Sequence, residues 1–540
     1  MEGTPRVLVT EPLHPEGLDL LRRETVVDIS LNPSPEELVH LIPAYHALIV
    51  RSGTKVTREV IEAGRQLRVI ARAGVGVDNV DIASATRQGI LVVNTPEGST
   101  VAAAEHTMAL LLALARRIPA ACASLAQGKW ERERFVGTEL YGKTLGIVGL
   151  GKIGGEVARR ALVFGMRVLA YDPYISEDRA KRIGAELVGW EEILARSDFL
   201  TLHVPLTHQT RRLLNREALA KMKPGAYLIN CARGGIVDEE VLLEFLDRGH
   251  LQGAALDVFE REPPSDSPLV GHPRVVATPH LGASTEEAQR AISLEVSRQV
   301  LAALRGLPVK GAVNAPALPE EAWQRLEPFL ELSRQLGALA GNLVDGQIEG
   351  IELVYEGEIS KEPSAPLASS FLAGFLQATS AEPMNLISAP ILAKERGLEV
   401  REARRETSED FTALIQARIV YRRREPHEEN PRGGLLVLGG TVFGRKEPRI
   451  THVGEYRLDL SPAPHMLFIW NMDRPGMIGK VGSILGELQV NIAGMTVGRV
   501  MPGGVALMVL STDSPVPPEA VMRIRSVEGI FGVRAVELGK

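Results

Sequence analysis

The apolar run Thr144-Leu-Gly-Ile-Val148 leads directly into Gly149-Leu-Gly151-Lys152-Ile153-Gly154. A strand that ends on this glycine spacing has few continuations other than a tight turn and a helix. Gly149 permits the turn, Gly151 admits a pyrophosphate close to the main chain, and Gly154 lets the helix pack against the strand. The free N–H groups at the start of that helix, near Ile153, suit phosphates. The next strand closes on Asp172, about 20 residues on, where a carboxylate reaches ribose hydroxyls. No arginine stands directly beside Asp172 to take a 2′-phosphate, so NAD is preferred to NADP.

The surrounding pattern extends this unit on both sides. Short runs rich in β-branched residues, Arg6–Thr10, Ala47–Val50, Leu67–Ala71 and Ile90–Val93, alternate with helical segments, as in a parallel α/β sheet. A long helix is expected from about Ser99 to Arg116, with Ser99 or Thr100 as its N-cap. About six more strands follow between Thr144 and Thr278, enough for a second doubly wound sheet. The pattern changes from about Ala317 to Gly454, where a strand at 350–357 and a Gly-flanked hairpin signal at Gly433–Gly440 carry no catalytic constellation. From His465 the order strand, helix, strand, strand, helix, strand predicts a ferredoxin-like module. At 540 residues the chain is too long for one core.

Composition excludes rather than selects. Apolar content of 45%, charged content of 24% and a net charge of -6 describe a globular chain without a basic face for nucleic acid or anionic membranes. The two cysteines, Cys122 and Cys231, make no disulfide framework, and no apolar run reaches membrane-spanning length. A cytoplasmic protein with no nucleic-acid or membrane partner is the expectation.

Three motifs fall where strands of the second sheet should end, which is where open α/β sheets bind ligands. Asn230-Cys231-Ala232-Arg233-Gly-Gly235 offers a guanidinium to a substrate carboxylate. Thr278-Pro-His280-Leu-Gly282-Ala283 offers the side chain best suited to moving a proton near neutral pH. Asp257-Val-Phe-Glu-Arg-Glu262 offers a carboxylate to fix the tautomer of His280. Arg233, Glu262 and His280 are therefore the candidate catalytic residues for interconverting a hydroxyl and a carbonyl by hydride transfer. The nicotinamide supplies the hydride, so no metal is required. Singly, each has a bland alternative: a structural histidine, a turn-closing arginine, a solvated loop acid.

These motifs, in this order, resemble the signatures of the NAD-dependent D-2-hydroxyacid dehydrogenases. The resemblance implies cofactor contacts at Val75, Gly149, Gly151, Lys152, Ile153, Gly154, Asp172, Val204, Cys231, Ala232, Arg233, Asp257, His280, Gly282 and Ala283. Arg72–Asn79, Asn94–Gly98 and Gly128–Arg132 are similar to the branch of the family that oxidises 3-phospho-D-glycerate at the start of L-serine biosynthesis. That likeness implies a substrate site of Arg51, Ser52, Arg72, Gly74, Gly76 and Asn79, with Arg132 or Arg134 adding charge for the phosphate, from a neighbouring subunit in one arrangement.

The resemblance also implies a domain order. A substrate-binding domain at 1–96 and 285–314 is interrupted by an NAD-binding domain at 97–284. An α+β intervening domain at 315–456, suggested by Asn385–Gly397, and a regulatory ACT domain at 465–540 follow. In the last, Asn471, Asp473 and Asn491 are the implied contacts for L-serine as effector. A homodimer or homotetramer is implied. Two other readings stay open at this point: a hydroxypyruvate, glyoxylate or D-lactate enzyme of the same family, and a non-metabolic NAD-sensing protein on the same scaffold.

Overall fold

The computed structural model describes residues 3–316, 318, 320–380, 384–423, 434–444 and 446–538. Ala317 and Gly433, used above to mark a change of pattern and a hairpin signal, lie outside the described residues. Four sheets organise the chain. The first is wholly parallel, in the order β2-β1-β3-β4-β5, from β1 (Arg6–Val9), β2 (Val26–Ile29), β3 (Ala47–Val50), β4 (Val69–Arg72) and β5 (Leu91–Asn94). Its central strands read as unbroken apolar runs because helices cover both faces, and β3 is buried throughout.

The helix Glu286–Leu304 returns to this sheet. Its Ile292, Val296 and Val300 share a core with Val7, Val9, Ile49 and Val69. Gly17 makes the return possible, since a Cβ there would lie 2.1 Å from Ser293 Oγ. Arg290 pairs with Glu16 at 2.7 Å at the edge of the same contact.

The second sheet is also wholly parallel, in the order β12-β11-β10-β9-β6-β7-β8. Its strands are β6 (Thr144–Val148), β7 (Arg167–Tyr171), β8 (Glu186–Leu187), β9 (Phe199–Leu202), β10 (Tyr227–Asn230), β11 (Gly253–Leu256) and β12 (Val275–Ala277). The sequence reading missed β8, whose two residues are too few to show a period. Winding starts at β6 in the middle and reverses at β9, so the crevice between their carboxyl ends is the switch point where ligands bind. The long helix spans Thr100–Ala115 as expected, but Ser99 makes no side-chain cap. Thr100 Oγ1 instead donates to the Pro96 carbonyl.

The third sheet is mixed, in the order β14-β13-β15-β16-β17-β18, from β13 (Gly346–Gly357), β14 (Val400–Arg405), β15 (Ala413–Arg423), β16 (Gly434–Phe443), β17 (Glu447–Val453) and β18 (Tyr456–Leu460). The Gly-flanked hairpin signal near Gly433–Gly440 falls on β16, which pairs antiparallel with β15 before it and β17 after it. Residues from Gly434 onward form one strand, with Gly439 and Gly440 at a register shift, and the reversal comes after Phe443. Gly440 is small because a Cβ would lie 2.7 Å from Leu332 Cδ1 on the covering helix.

The fourth sheet is antiparallel, in the order β20-β21-β19-β22, from β19 (His465–Met472), β20 (Ile492–Arg499), β21 (Val505–Thr512) and β22 (Ile530–Glu537). With helices Met477–Glu487 and Pro518–Arg525 on one face, it is the expected ferredoxin-like module. Among the described residues no single helix is long and apolar enough to cross a membrane.

Candidate active site

The glycine turn closes β6 as its sequence requires. Gly149 has φ +93°, and a Cβ there would meet the His203 carbonyl at 2.6 Å and Val204 Cγ1 at 2.8 Å. At Gly154 a Cβ would lie 2.1 Å from the Gly149 carbonyl oxygen, so only glycine lets helix Lys152–Val163 start this close to the strand. Gly151 faces open space, with no heavy atom within 4 Å of a built Cβ. An anion can therefore reach the N–H groups of the first helical turn. Ile153 anchors the turn in the core. Asp172, just past β7, accepts from the Leu150 N–H at 2.9 Å and the Tyr174 N–H at 2.9 Å. Its carboxylate is thus fixed against the turn with lone pairs left for a ribose diol. Lys152 pairs with Glu97 at 3.0 Å. The residues present fit a dinucleotide.

At the ends of β10, β11 and β12 the three motifs converge. His280 Nδ1 lies 2.8 Å from Glu262 Oε2. Burial alone would raise the Glu262 carboxyl, but the hydrogen bond and charge of His280 outweigh it and hold the group below its ordinary range. Glu262 Oε1 also accepts from the Phe259 N–H at 3.1 Å, which fixes the carboxylate's orientation. His280 is one of the few non-glycine residues with positive φ, at +56°. Asp257, fully buried at the end of β11, accepts from the Leu281 and Gly282 N–H groups at 2.7 and 2.9 Å. Burial opposes its ionisation, yet these bonds and those of His106 and Thr278 hold its carboxyl below the usual value.

Arg233 faces this pair from β10. Its Nε donates to Asp78 Oδ2 at 2.9 Å and its Nη1 to the Ala232 carbonyl at 2.6 Å. Its guanidinium lies over Gly76, where a Cβ would stand 1.7 Å from Nη2. Gly74, at φ +151°, makes the same room for Arg72, with a built Cβ 1.8 Å from Nη1. Burial, and then the positive charge of Arg233, lower Arg72 to about 10. The Arg72 Nε is buried without a partner among the described residues. Burial also lowers Arg51. Three guanidiniums thus lie within electrostatic reach of one another, a field that suits a small polyanion. Glu11 braces the Arg51 loop by accepting from the N–H groups of Arg51, Gly53 and Thr54 at 2.8, 3.1 and 3.0 Å.

Several expectations need adjustment. Asn79, expected at the substrate, spends its amide on the Arg51 and Thr54 carbonyls at 2.7 and 2.6 Å and so shapes the loop instead. Asn94 donates to the Val75 carbonyl at 2.6 Å, and Gln289 to the Ala283 carbonyl at 2.7 Å, so both backbone positions serve local structure. Ser52 is exposed beside Arg51. Arg132 and Arg134 lie on an exposed 3-10 turn, and Arg134 pairs with Glu131 rather than with the crevice. Ala232 N–H donates to Asn230 Oδ1 at 3.1 Å, holding the Arg233 turn. Burial pushes the Cys231 thiol up to about 12, so it is no nucleophile. Sequence reading missed Glu11, Asp78 and His106, each paired only through the fold.

In the C-terminal module the three expected effector residues do not meet. Asp473, past the end of β19, accepts from the Gly503 N–H at 3.1 Å and Arg499 at 3.2 Å, and these bonds hold its carboxyl low. Asn491, before the start of β20, donates to Asp513 at 2.6 Å. Register puts Met472 opposite Val505 and Ile492 opposite Thr512, so the two lie at opposite ends of one sheet. Asn471 is buried, donating to the Met472 carbonyl while its Oδ1 lacks a partner among the described residues.

A dinucleotide turn at the switch point, beside a His–Glu pair and an arginine-lined crevice, defines a nicotinamide-dependent 2-hydroxyacid dehydrogenase. Residues 108–282 match the model of the D-isomer specific 2-hydroxyacid dehydrogenase NAD binding domain. Residues 325–454 match the D-3-phosphoglycerate dehydrogenase intervening domain, and 465–529 the ACT domain. The D-3-phosphoglycerate dehydrogenase of Synechocystis sp. is 45% identical over 99% of this chain and 95% of its own. That of Methanocaldococcus jannaschii is 43% identical over 99% and 100%. The D-lactate dehydrogenase of Aquifex aeolicus, solved with NAD and lactic acid, is 30% identical with a TM-score of 0.51, covering 56% of this chain and 96% of that one. The chain belongs to the D-3-phosphoglycerate dehydrogenase family and is an NAD-dependent oxidoreductase.

Proposed function

We propose that this enzyme oxidises 3-phospho-D-glycerate to 3-phosphooxypyruvate, the entry to L-serine synthesis. The observation that carries the reading is the 2.8 Å Glu262–His280 pair, in a chain that also gathers the guanidiniums of Arg233, Arg72 and Arg51 within electrostatic reach of one another. Arg233 grips the substrate carboxylate, and Arg72 and Arg51 receive the phosphate. Neutral His280, its Nδ1–H donated to Glu262, takes the hydroxyl proton on Nε2. Glu262 then neutralises the imidazolium. NAD, when bound on the glycine turn, accepts the hydride.

The same reading divides the chain into a substrate domain at 1–96 and 285–314, an NAD domain at 97–284, an intervening domain at 315–456 and a regulatory domain at 465–540. It puts the enzyme in the cytoplasm as a homo-oligomer, with L-serine as effector. Because Asp473 and Asn491 are a sheet length apart, one serine site needs residues of two modules. Support for the oligomer comes from the apolar side chains left exposed around Trp130 and Tyr141.

The test is NADH formation from phosphoglycerate with the ketoacid trapped, alongside hydroxypyruvate and glyoxylate reduction. Phosphoglycerate-dependent turnover that is abolished by His280→Ala is the expected result. Turnover of only the unphosphorylated ketoacids would overturn the phosphate assignment of the arginines.

A further inference from the structure

The turn that carries His280 is wrapped around one buried carboxylate. Thr278 Oγ1 donates to Asp257 Oδ1 at 2.6 Å, and the Leu281 and Gly282 N–H groups donate at 2.7 and 2.9 Å. The His280 N–H itself donates to the Asp257 main-chain carbonyl at 2.9 Å. These bonds fix the residues on both sides of His280 while it holds its left-handed conformation, one that a side chain keeps only when its surroundings enforce it.

Among the described residues, the remaining donor to this carboxylate comes from outside the turn. His106, on the helix Thr100–Ala115, brings Nε2 to 3.1 Å from Asp257 Oδ1 and 3.3 Å from Thr278 Oγ1. Its side chain is mostly buried, at 19% exposure, so the contact is formed away from bulk water. A fully buried carboxylate that loses a donor takes up a proton or loosens its remaining bonds. Either change reaches His280 through the same turn.

We infer that His106 is a positioning residue for the acid–base histidine: through Asp257 and Thr278 it locks the 278–282 turn so that His280 meets both Glu262 and the reacting hydroxyl. The inference rests on the acid–base role given to His280 above. His106 touches neither of the groups that react. Its effect falls mainly on the rate of the chemical step and less on nucleotide affinity, because the glycine turn that takes the pyrophosphate lies at the end of a different strand, while the implied contacts at Asp257, Gly282 and Ala283 share the braced turn.

The experiment uses the full chain as wild type, His106→Leu, His106→Gln and His280→Ala. Steady-state oxidation of phosphoglycerate is measured beside NADH affinity by fluorescence and the thermal midpoint. Leucine should lower kcat about tenfold or more, as small misplacements of a reacting group do. NADH affinity should fall by much less than kcat, the midpoint should stay near wild type, and the isotope effect with substrate deuterated at C2 should change. Glutamine keeps an N–H at similar reach and should restore most of kcat.

Wild-type kcat in His106→Leu, or loss of kcat, NADH affinity and midpoint in parallel with no rescue by glutamine, overturns the inference. If the leucine variant does not fold, His106→Asn, too short to reach Asp257, replaces it. A kcat well below that of glutamine at an equal midpoint supports the role, and equal kcat overturns it. Activity surviving in His280→Ala would instead remove the acid–base reading on which the inference stands.

Discussion

Arg233 can approach the crevice only because residue 76 has no side chain. Its Nε is held by Asp78 and its Nη1 by the Ala232 carbonyl, so a Cβ at position 76, 1.7 Å from Nη2, displaces a guanidinium that is already tied. Losing a charge-assisted bond to the substrate costs about 2 kcal/mol, roughly thirtyfold in kcat/KM. Gly76→Ala should show that loss in phosphoglycerate kinetics while NADH affinity stays within about twofold. Unchanged kcat/KM would mean that Arg233 does not hold the substrate where it stands.

Glu262 allows a pH prediction. Its carboxyl is held below the ordinary range, so the stabilisation from its bond to His280 is full above that range, near pH 4, and is lost as pH falls through the lowered value. The difference in unfolding free energy between wild type and Glu262→Gln should therefore hold steady from neutral pH down to about pH 5 and shrink below about pH 4. Denaturant unfolding across that range measures it. Arg233, Glu262 and His280 were legible because each sits in a strand-end motif. Glu11, Asp78 and His106 were not, because nothing local distinguishes them from solvated side chains. Asn79 shows a related limit: its amide bonds to the Arg51 and Thr54 carbonyls, which shape the loop, could not be read from the motif.

At the scale of elements, β6, the glycine turn and helix Lys152–Val163 behave as one unit whose spacing is set by a missing methyl group. Gly154→Ala places a Cβ 2.1 Å from the Gly149 carbonyl oxygen, and backbone cannot swing aside as a side chain does. The helix start must back away from the strand, at a cost of about 2 kcal/mol typical of overpacking. The variant should melt lower and bind NADH roughly tenfold or more weakly, since helix N–H groups withdrawn from the pyrophosphate lose their bonds. Fluorescence titration and thermal unfolding check both, and intact affinity would separate this turn from nucleotide binding. Parallel strands were legible as apolar runs closed by polar residues, and the C-terminal module by its element order. The two-residue β8 shows no period, and the glycines of β16 looked like a turn although they make room for Leu332 and a register shift.

At the scale of the whole molecule, an apolar region that a single chain leaves exposed lies along segment 130–141. Segment 130–141 runs over the ends of two helices, with Gly137 close against Ala115 and Arg116 and Tyr141 laid over Gly165. Along it Trp130, Val136 and Tyr141 are 77, 75 and 80% exposed, and the neighbouring Val163 is 88% exposed. Isolated exposed apolar residues are ordinary, but large ones gathered at the junction of two helices mark an interaction surface. A second copy is the occupant that every molecule in solution meets, and a self-complementary patch closes into a dimer about a two-fold axis. Arg132 and Arg134 lie on this segment, so the same contact would carry them towards a neighbour's crevice, which the pairing of Arg134 with Glu131 within one chain does not. Sedimentation at micromolar concentration should give at least twice the chain mass of 58.5 kDa. Trp130→Glu with Tyr141→Glu should give the single-chain mass, because each glutamate would have to be desolvated in the contact. Arg132 and Arg134 then set the second readout: if they serve a neighbour, the dissociated variant loses phosphoglycerate affinity while keeping NADH affinity. A single-chain mass for the wild-type protein would refute the dimer, and dissociation with unchanged substrate affinity would return both arginines to the solvated surface.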